Sequence, residues 1–329
     1  MLHMITKPST QIVERTPNPI VFQAAKSLGL SDLLARISAN RTDSVDQLEA
    51  IVFPALKHLQ LPNDLFRSEE AAAIVAKAIQ GSQKIVLATD YDTDGVTSAW
   101  VAFQALTEYF NVCADRIELV IGERTTGYGI NQEVVERILG LENVGLVISA
   151  DQGSSDEPRI AQIREAGIKV LVTDHHQMPV EGPPKSASCT VNPQQEGCLY
   201  DKTVAGCYVI FLVMAQVRTH LIKSGYLPED SPTLKNLLKN VALGTVADSV
   251  SLKSPNNRAI VKTGLKQINQ FNDPAWQAML ELNDNQSQPY DAEFLGFQVA
   301  TRINAASRVS DVTTAFKFLS ANSIDDANF

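Results

Sequence analysis

The chain has 329 residues, 44% hydrophobic and 20% charged, with a formal net charge of −9. Its length suggests one large core with smaller appendages, its composition is that of a soluble globular protein, and apolar runs such as Val209 to Ala215 are far too short to span a bilayer. The acidity runs against the basic footprint that phosphate binding usually leaves, but a carboxylate-built metal site adds negative charge that bound cations reverse, so nucleic acid, small phosphoesters and no phosphate at all stay open.

Residues 1–66 carry helical patterning broken by Pro8, Pro17, Pro19, Pro54 and Pro62. The apolar positions Ile20-Val21, Ala24-Ala25, Leu28, Leu33-Leu34 and Ile37 recur near helical spacing, which predicts a small helical extension. No basic patch, apolar stretch and small-residue cleavage site mark a signal peptide at the N-terminus. From residue 67 short apolar strands alternate with helices. Helix Glu70 to Ile79 precedes strand Lys84 to Thr89, and helix Ser98 to Tyr109 precedes strand Ile117 to Ile121. Helix Gln132 to Leu139 then leads to strand Val144 to Ala150, and helix Glu157 to Ala166 to strand Lys169 to Thr173. This alternation predicts an α/β fold, a mostly parallel Rossmann-like sheet with helices on both faces, over residues 67–265. After about residue 204 the chain reads as mainly helical, with segments Val204 to Lys223 and Leu234 to Val246, and residues 266–329 as a helical segment of their own. Cys113, Cys189, Cys198 and Cys207 show neither paired nor metal-ligand spacing and read as reduced thiols in a cytoplasmic protein.

In such sheets ligands bind beyond the carboxyl ends of the strands, and acidic and histidine residues fall at those ends one strand after another. The first cluster is Asp90-Tyr91-Asp92-Thr93-Asp94-Gly95. Read as extended chain, its alternate residues share a face, so three carboxylates converge and would repel each other strongly without a hard divalent cation such as Mg²⁺ or Mn²⁺. The alternatives are a solvated acidic turn or a calcium loop. The latter needs a bidentate Glu at its twelfth position, where this chain has Val101. Asp151, after the strand ending at Ala150, is in isolation a helix cap or turn residue; its place at the same sheet edge favours the metal reading. Asp174-His175-His176 puts two of only five histidines side by side at another strand end, one suited to bind metal and the other to meet a phosphate or protonate a leaving group. Asp248, just past a helix, is by itself an ordinary loop residue.

The set DYDTDG, ADQG, TDHH and ALGTVADSVSL, in this order and spacing, resembles motifs one to four of the DHH superfamily of phosphoesterases, in wording closest to its RecJ exonuclease branch. Gly127-Tyr128-Gly129, the stretch from Val191-Asn192-Pro193 to Gly197-Cys198, Ala205-Gly206 and Asn257-Arg258 add to the match, and Thr301 to Arg308 looks like the family's PRINAAGR segment. The resemblance implies two divalent ions, Mn²⁺ in preference or Mg²⁺, held by Asp90, Asp92, Asp94, Asp151, His175 and Asp248. Asp151 would be the bridge; which of Asp90 and Asp92 touches metal stays open. His176, with Asp151 and Asp94, would form the catalytic set, and Arg302, Arg308 and, more weakly, Arg124 would contact substrate phosphates.

The departures are Thr301 for Pro and Ser307 for Gly. Family members also continue into a DHHA1 domain with a Gly-Gly-His motif and commonly an OB fold, neither of which is found here. A fragment, a natural truncation, or a subunit completed by another polypeptide are the competing explanations. The implied activity is 5′-to-3′ exonuclease action on single-stranded DNA, in repair or recombination. The alternatives are a phosphodiesterase for short oligonucleotides or cyclic dinucleotides, and an inactive scaffold.

Overall fold

The structure, a computed structural model, describes residues 13–282, 289–309 and 313–327. Residues 1–12, the first part of the expected N-terminal extension, lie outside that range. The chain divides into two compact units, Met1–Pro54 and Ala55–Phe329.

The described residues of the first unit form three short helices, α1 (Pro19–Ser27), α2 (Asp32–Ala39) and α3 (Val45–Val52). Each start is set by a polar cap: Asn18 accepts from the amides of Ile20 and Val21, Ser31 from Leu34 and Ser44 from Gln47. Val21, Ala25, Leu30, Ala35, Ala39 and Leu48 form a small core of their own.

The second unit opens with residues 55–66, which the sequence pattern groups with the preceding helices. Here they belong to the larger unit because Leu65 is fully buried in its core and Leu56 and Leu59 pack on that core. After α4 (Ser68–Gln80), the strands β1 (Lys84–Thr89), β2 (Ile117–Ile121), β3 (Val144–Ala150) and β4 (Lys169–Thr173) are separated by α5 (Thr93–Gln104), α6 (Gln132–Leu139) and α7 (Glu157–Glu165). A short strand β5 (Cys189–Val191), absent from the sequence reading, pairs with β4. All pairings are parallel and the order is β2-β1-β3-β4-β5, one of the two common doubly wound arrangements.

Alternate residues of each strand enter opposite cores. Ile85, Leu87, Leu146 and Ile148 point into a large core with α4 and α5, whereas Val86, Ala88, Val147, Val170 and Val172 meet Val134, Val135 and Ile138 of α6 and Ile160 and Ile163 of α7. Covering on both faces explains why the strands are nearly continuous apolar runs, each buried aliphatic side chain contributing about 1.5–3 kcal/mol.

Beyond the sheet follow α8 (Gly206–Lys223), α9 (Leu238–Ala247), α10 (Pro255–Ile268) and α11 (Pro274–Glu281). The short α12 (Ala292–Phe294) runs through a π-helical stretch, Leu295–Ala300, into α13 (Thr301–Val309), and α14 (Thr313–Leu319) and α15 (Ile324–Ala327) come last. Among the described residues after 265, Trp276, Met279, Leu295, Val299, Ile303, Phe316 and Leu319 join the large core rather than a separate one. Among the described residues no helix is long and apolar enough to cross a membrane.

Helices α9 and α10 pack closely at Gly264, where a Cβ would meet the Ala242 methyl and lie 2.5 Å from the Leu238 carbonyl oxygen. Gly264→Ala is therefore expected to lower stability by about 1–3 kcal/mol, read as a shift in the urea midpoint at unchanged slope.

Candidate metal centre

The order β2-β1-β3 makes the chain reverse direction across β1, so a crevice opens beyond the carboxyl ends of β1 and β3. Asp90 follows β1, Asp151 follows β3, and Asp174-His175-His176 follows β4. Only Asp90 of the first acidic cluster lies at a strand tip as expected. Asp92 is the N-cap of α5, its carboxylate accepting from the Gly95 amide at 3.0 Å, and Asp94 sits in the first helical turn. The three carboxylates thus converge through a strand-to-helix turn; the extended chain inferred from the alternation is corrected, because the cap starts the helix five residues before the expected Ser98. Asp248 is the C-cap of α9 rather than a residue of the sheet edge.

These residues meet. Ligand atoms of Asp90, Asp92 and Asp151 lie within 4.8 Å of one another, as do those of Asp94, His175 and Asp248, and those of Asp151, His175 and His176. His175 Nε2 stands 3.2 Å from Asp151 Oδ1, 3.7 Å from Asp248 Oδ2 and 3.8 Å from Asp94 Oδ2. Asp151 and His175 each belong to two of the three groups. The Asp151 backbone is left-handed at φ 61°, unusual for a residue with a side chain. Its amide donates to Thr173 O and its carbonyl accepts from the Tyr128 hydroxyl at 2.8 Å.

The surrounding helices hold this geometry. Helix α8 aims the amides of Gly206 and Cys207 at the two Asp94 oxygens, at 2.7 and 3.0 Å, a favourable place for a carboxylate at a helix N-terminus. A Cβ at Gly206 would lie 2.6 Å from Asp151 Oδ1, and one at Gly244 of α9 would lie 2.8 Å from Asp94 Oδ1, so both helices press backbone against the carboxylates. The carbonyls of the two histidines are held by Asn192 Nδ2 on His176 O at 2.9 Å and Gln194 Nε2 on His175 O at 3.3 Å.

The electrostatics are those of carboxylates gathered for a cation. Burial first, then Asp92, pushes Asp90 up to about 7; burial first, then Asp94 and Asp92, does the same for Asp248. Asp92 and Asp151 are also raised, by burial and by neighbouring carboxylates. Asp90 Oδ1, Asp151 Oδ1 and His175 Nε2 are buried with no hydrogen-bond partner. Orphaned oxygens with one imidazole suit Mg²⁺ or Mn²⁺, so the residues fit the pair of ions that the motifs imply.

Asp174, given no role from the sequence, behaves differently. Burial would raise it, but His176 Nδ1 at 2.8 Å and the Ser154 amide at 3.0 Å outweigh burial and hold it at about 2. The same hydrogen bond raises His176. Tyr128 and Asp156 also support the site. The sequence marks Tyr128 only as part of its glycine motif and does not single out Asp156, because pairing across loops leaves no local signal.

The arginines are distributed otherwise than expected. Arg124, the weakest sequence candidate, lies over the Tyr91 ring at 4.3 Å, donates to Ser307 Oγ at 3.3 Å and draws Asp90 back down. Asn304 Oδ1 accepts from both the amide and hydroxyl of Thr93 at 2.9 Å, docking α13 on the first acidic turn. Arg302, two residues earlier and about 200° around the helix, faces away. It donates back to Gln298 O at 2.6 Å and lines a separate cavity with Met279, Leu282 and Phe318, so the structure does not bring it to the cluster. Arg308 is exposed four residues after Asn304, one helical turn along the docked face.

Residues 84–245 match the model of the DHH family, N-terminal domain, a stretch that holds every residue of the cluster except Asp248. This stretch carries a DHH-family N-terminal domain. It is similar to the single-stranded-DNA-specific exonuclease RecJ of Haemophilus influenzae, 34% identical over 275 residues, which are 83% of this chain and 47% of that protein. With the RecJ of Escherichia coli it shares 33% identity over 304 residues, 91% of this chain and 51% of the relative. A crystal structure of RecJ in complex with Mn²⁺ from Thermus thermophilus superimposes with a TM-score of 0.74 at 25% identity, over 95% of this chain and 42% of that one. The chain spans about half the length of the curated relatives it matches.

The raised carboxyls make stability depend on pH. The folded state of the metal-free protein keeps protons on Asp90 and Asp248 up to about 7, above the ordinary carboxyl value of 3.8. It therefore binds more protons than the unfolded chain between those values, and its stability falls as pH rises through that window. Thermal denaturation without metal should show a lower midpoint at neutral pH than at mildly acidic pH, and Mn²⁺ should raise the midpoint more at the higher pH. Gly206→Ala, which drives a methyl against Asp151, should weaken Mn²⁺ binding by about tenfold or more in a calorimetric titration.

Proposed function

We propose that this chain is a metal-dependent phosphodiester hydrolase acting on single-stranded DNA, releasing nucleotides in the 5′-to-3′ direction during DNA repair or recombination. The observation that supports it most is the convergence of Asp90, Asp92, Asp94, Asp151, His175 and Asp248 into overlapping ligand groups that share Asp151 and His175. Two divalent cations, Mn²⁺ or Mg²⁺, bound there would supply positive charge against a phosphodiester and make water a stronger nucleophile near neutral pH.

In this reading Asp151, shared by two of the ligand groups, would help to hold both ions, and Asp94 is oriented by the α8 amides. His176, with Nδ1 on ionised Asp174 and a side chain 45% exposed, holds a proton beside the scissile phosphate and hands it to the leaving oxygen. Arg124 and Arg308 meet phosphates of the entering strand, as guanidinium groups suit them. A second domain, in the same chain or supplied by another polypeptide, completes the cleft on the far side. The four free cysteines fit a cytoplasmic setting.

The test is hydrolysis of 5′- and 3′-labelled single-stranded DNA, double-stranded DNA, a dinucleotide and a cyclic dinucleotide, with and without Mn²⁺, alongside Asp151→Ala. Mononucleotide release from single-stranded DNA alone is expected. The variant should lose more than the roughly 10–100-fold that removing a ligand's hydrogen-bond partner costs. Turnover confined to the dinucleotides would reassign the substrate, and no turnover despite Mn²⁺ binding would overturn the nuclease reading.

A further inference from the structure

Tyr128 stands on the loop between β2 and α6, flanked by Gly127 and Gly129 at φ 99° and 84°. The space beside Gly129 is filled by the Asp156 carboxylate, both of whose oxygens would lie 2.9 Å from a Cβ there, and Asp156 Oδ2 accepts from the Ile130 amide at 2.8 Å. Asp156 directly precedes α7, and its own amide donates to Gly153 O at 3.2 Å. The tyrosine loop is thereby tied to the segment that follows Asp151.

The phenol reaches two parts of the metal centre at once. Its oxygen lies 2.8 Å from the Asp151 carbonyl oxygen and 2.9 Å from His176 Nδ1, with the two rings edge-on at 5.3 Å. A carbonyl only accepts, so the single hydroxyl proton goes to Asp151 and the phenol oxygen accepts from Nδ1–H. Asp174 Oδ1, 2.8 Å from the same nitrogen, also accepts from it. The phenol oxygen also lies 3.4 Å from Nε2, so it is the Asp174 contact that fixes the proton on Nδ1 and leaves Nε2 for a substrate oxygen.

We propose that Tyr128 is a positioning residue: its hydroxyl, placed by Asp156, ties the His176 imidazole to the Asp151 backbone and presents Nε2 to the substrate. The chemical consequence rests on the role given to His176 above; the hydrogen-bond chain itself does not.

Tyr128→Phe removes the hydroxyl and keeps the ring. Asp156→Ala frees the loop, while Asp156→Asn keeps an acceptor for the Ile130 amide. Three quantities are measured for each: Mn²⁺ affinity by calorimetry, kcat and KM on 5′-labelled single-stranded DNA, and the imidazole ¹⁵N signals of His176 in the metal-free protein with the ring neutral. For Tyr128→Phe and Asp156→Ala we expect kcat to fall about 10–100-fold with KM and Mn²⁺ affinity within about twofold, and the ¹⁵N signals to move from an Nδ1–H pattern toward a mixture of tautomers. Asp156→Asn should stay near wild type, and the Tyr128→Phe/Asp156→Ala pair should be no worse than Tyr128→Phe alone, because the two act through one contact. Unchanged ¹⁵N signals in Tyr128→Phe overturn the proposal, as does a loss of Mn²⁺ affinity as large as the loss of kcat. If wild type hydrolyses nothing, the proposed function fails by itself and the ¹⁵N spectra alone decide the positioning role.

Discussion

Repulsion between like charges on buried side chains governs the surroundings of this site. Asp90, Asp94 and Asp151 are almost wholly buried, and Asp92 and Asp248 stand beside them. In a low dielectric such a group cannot all be ionised without compensation, and the upward displacement of Asp90, Asp92, Asp151 and Asp248 records that conflict. Part of the compensation is built in. The α8 amides face Asp94, the Gly95 amide faces Asp92, and Asp174 is held ionised by His176 and Ser154. The remaining orphaned oxygens, with His175 among them, are what a pair of divalent cations would satisfy.

That conflict is sustained because the rest of the fold does not yield. The strands are packed on both faces, so their carboxyl ends cannot drift apart without opening a core. Helices α8 and α9 bring glycine backbone, at Gly206 and Gly244, to within contact of the carboxylates, where any side chain would displace them. The left-handed backbone of Asp151 is a local strain that the Tyr128 hydroxyl and the Thr173 carbonyl stabilise from two directions.

Periodicity and order carried much of this into the amino-acid string. The four strands β1 to β4 lie where their apolar runs place them, because a strand covered on both faces must be apolar throughout. The acidic and histidine residues beyond them were legible as one site since parallel strands put all their carboxyl ends on one edge. Local backbone chemistry was less legible. The Asp92 cap turned an apparent extended acidic segment into the first turn of α5, and β5 is too short for a pattern. The boundary at 54/55 depends on which core Leu65 enters, which no local spacing encodes.

The string by itself determined the fold class, the sheet edge at which the candidate site sits and the chemical identity of its candidate ligands, since these depend on residue type and on spacing along one chain. Tertiary structure decided which groups touch. Asp174 rather than water holds His176, Tyr128 and Asp156 join from loops dozens of residues away, and Arg124 rather than Arg302 stands by the cluster because α13 docks through Asn304 and turns Arg302 outward. Contacts of this kind arise from helix rotation and loop closure, quantities set by the packing of the whole unit rather than by any neighbourhood of the sequence.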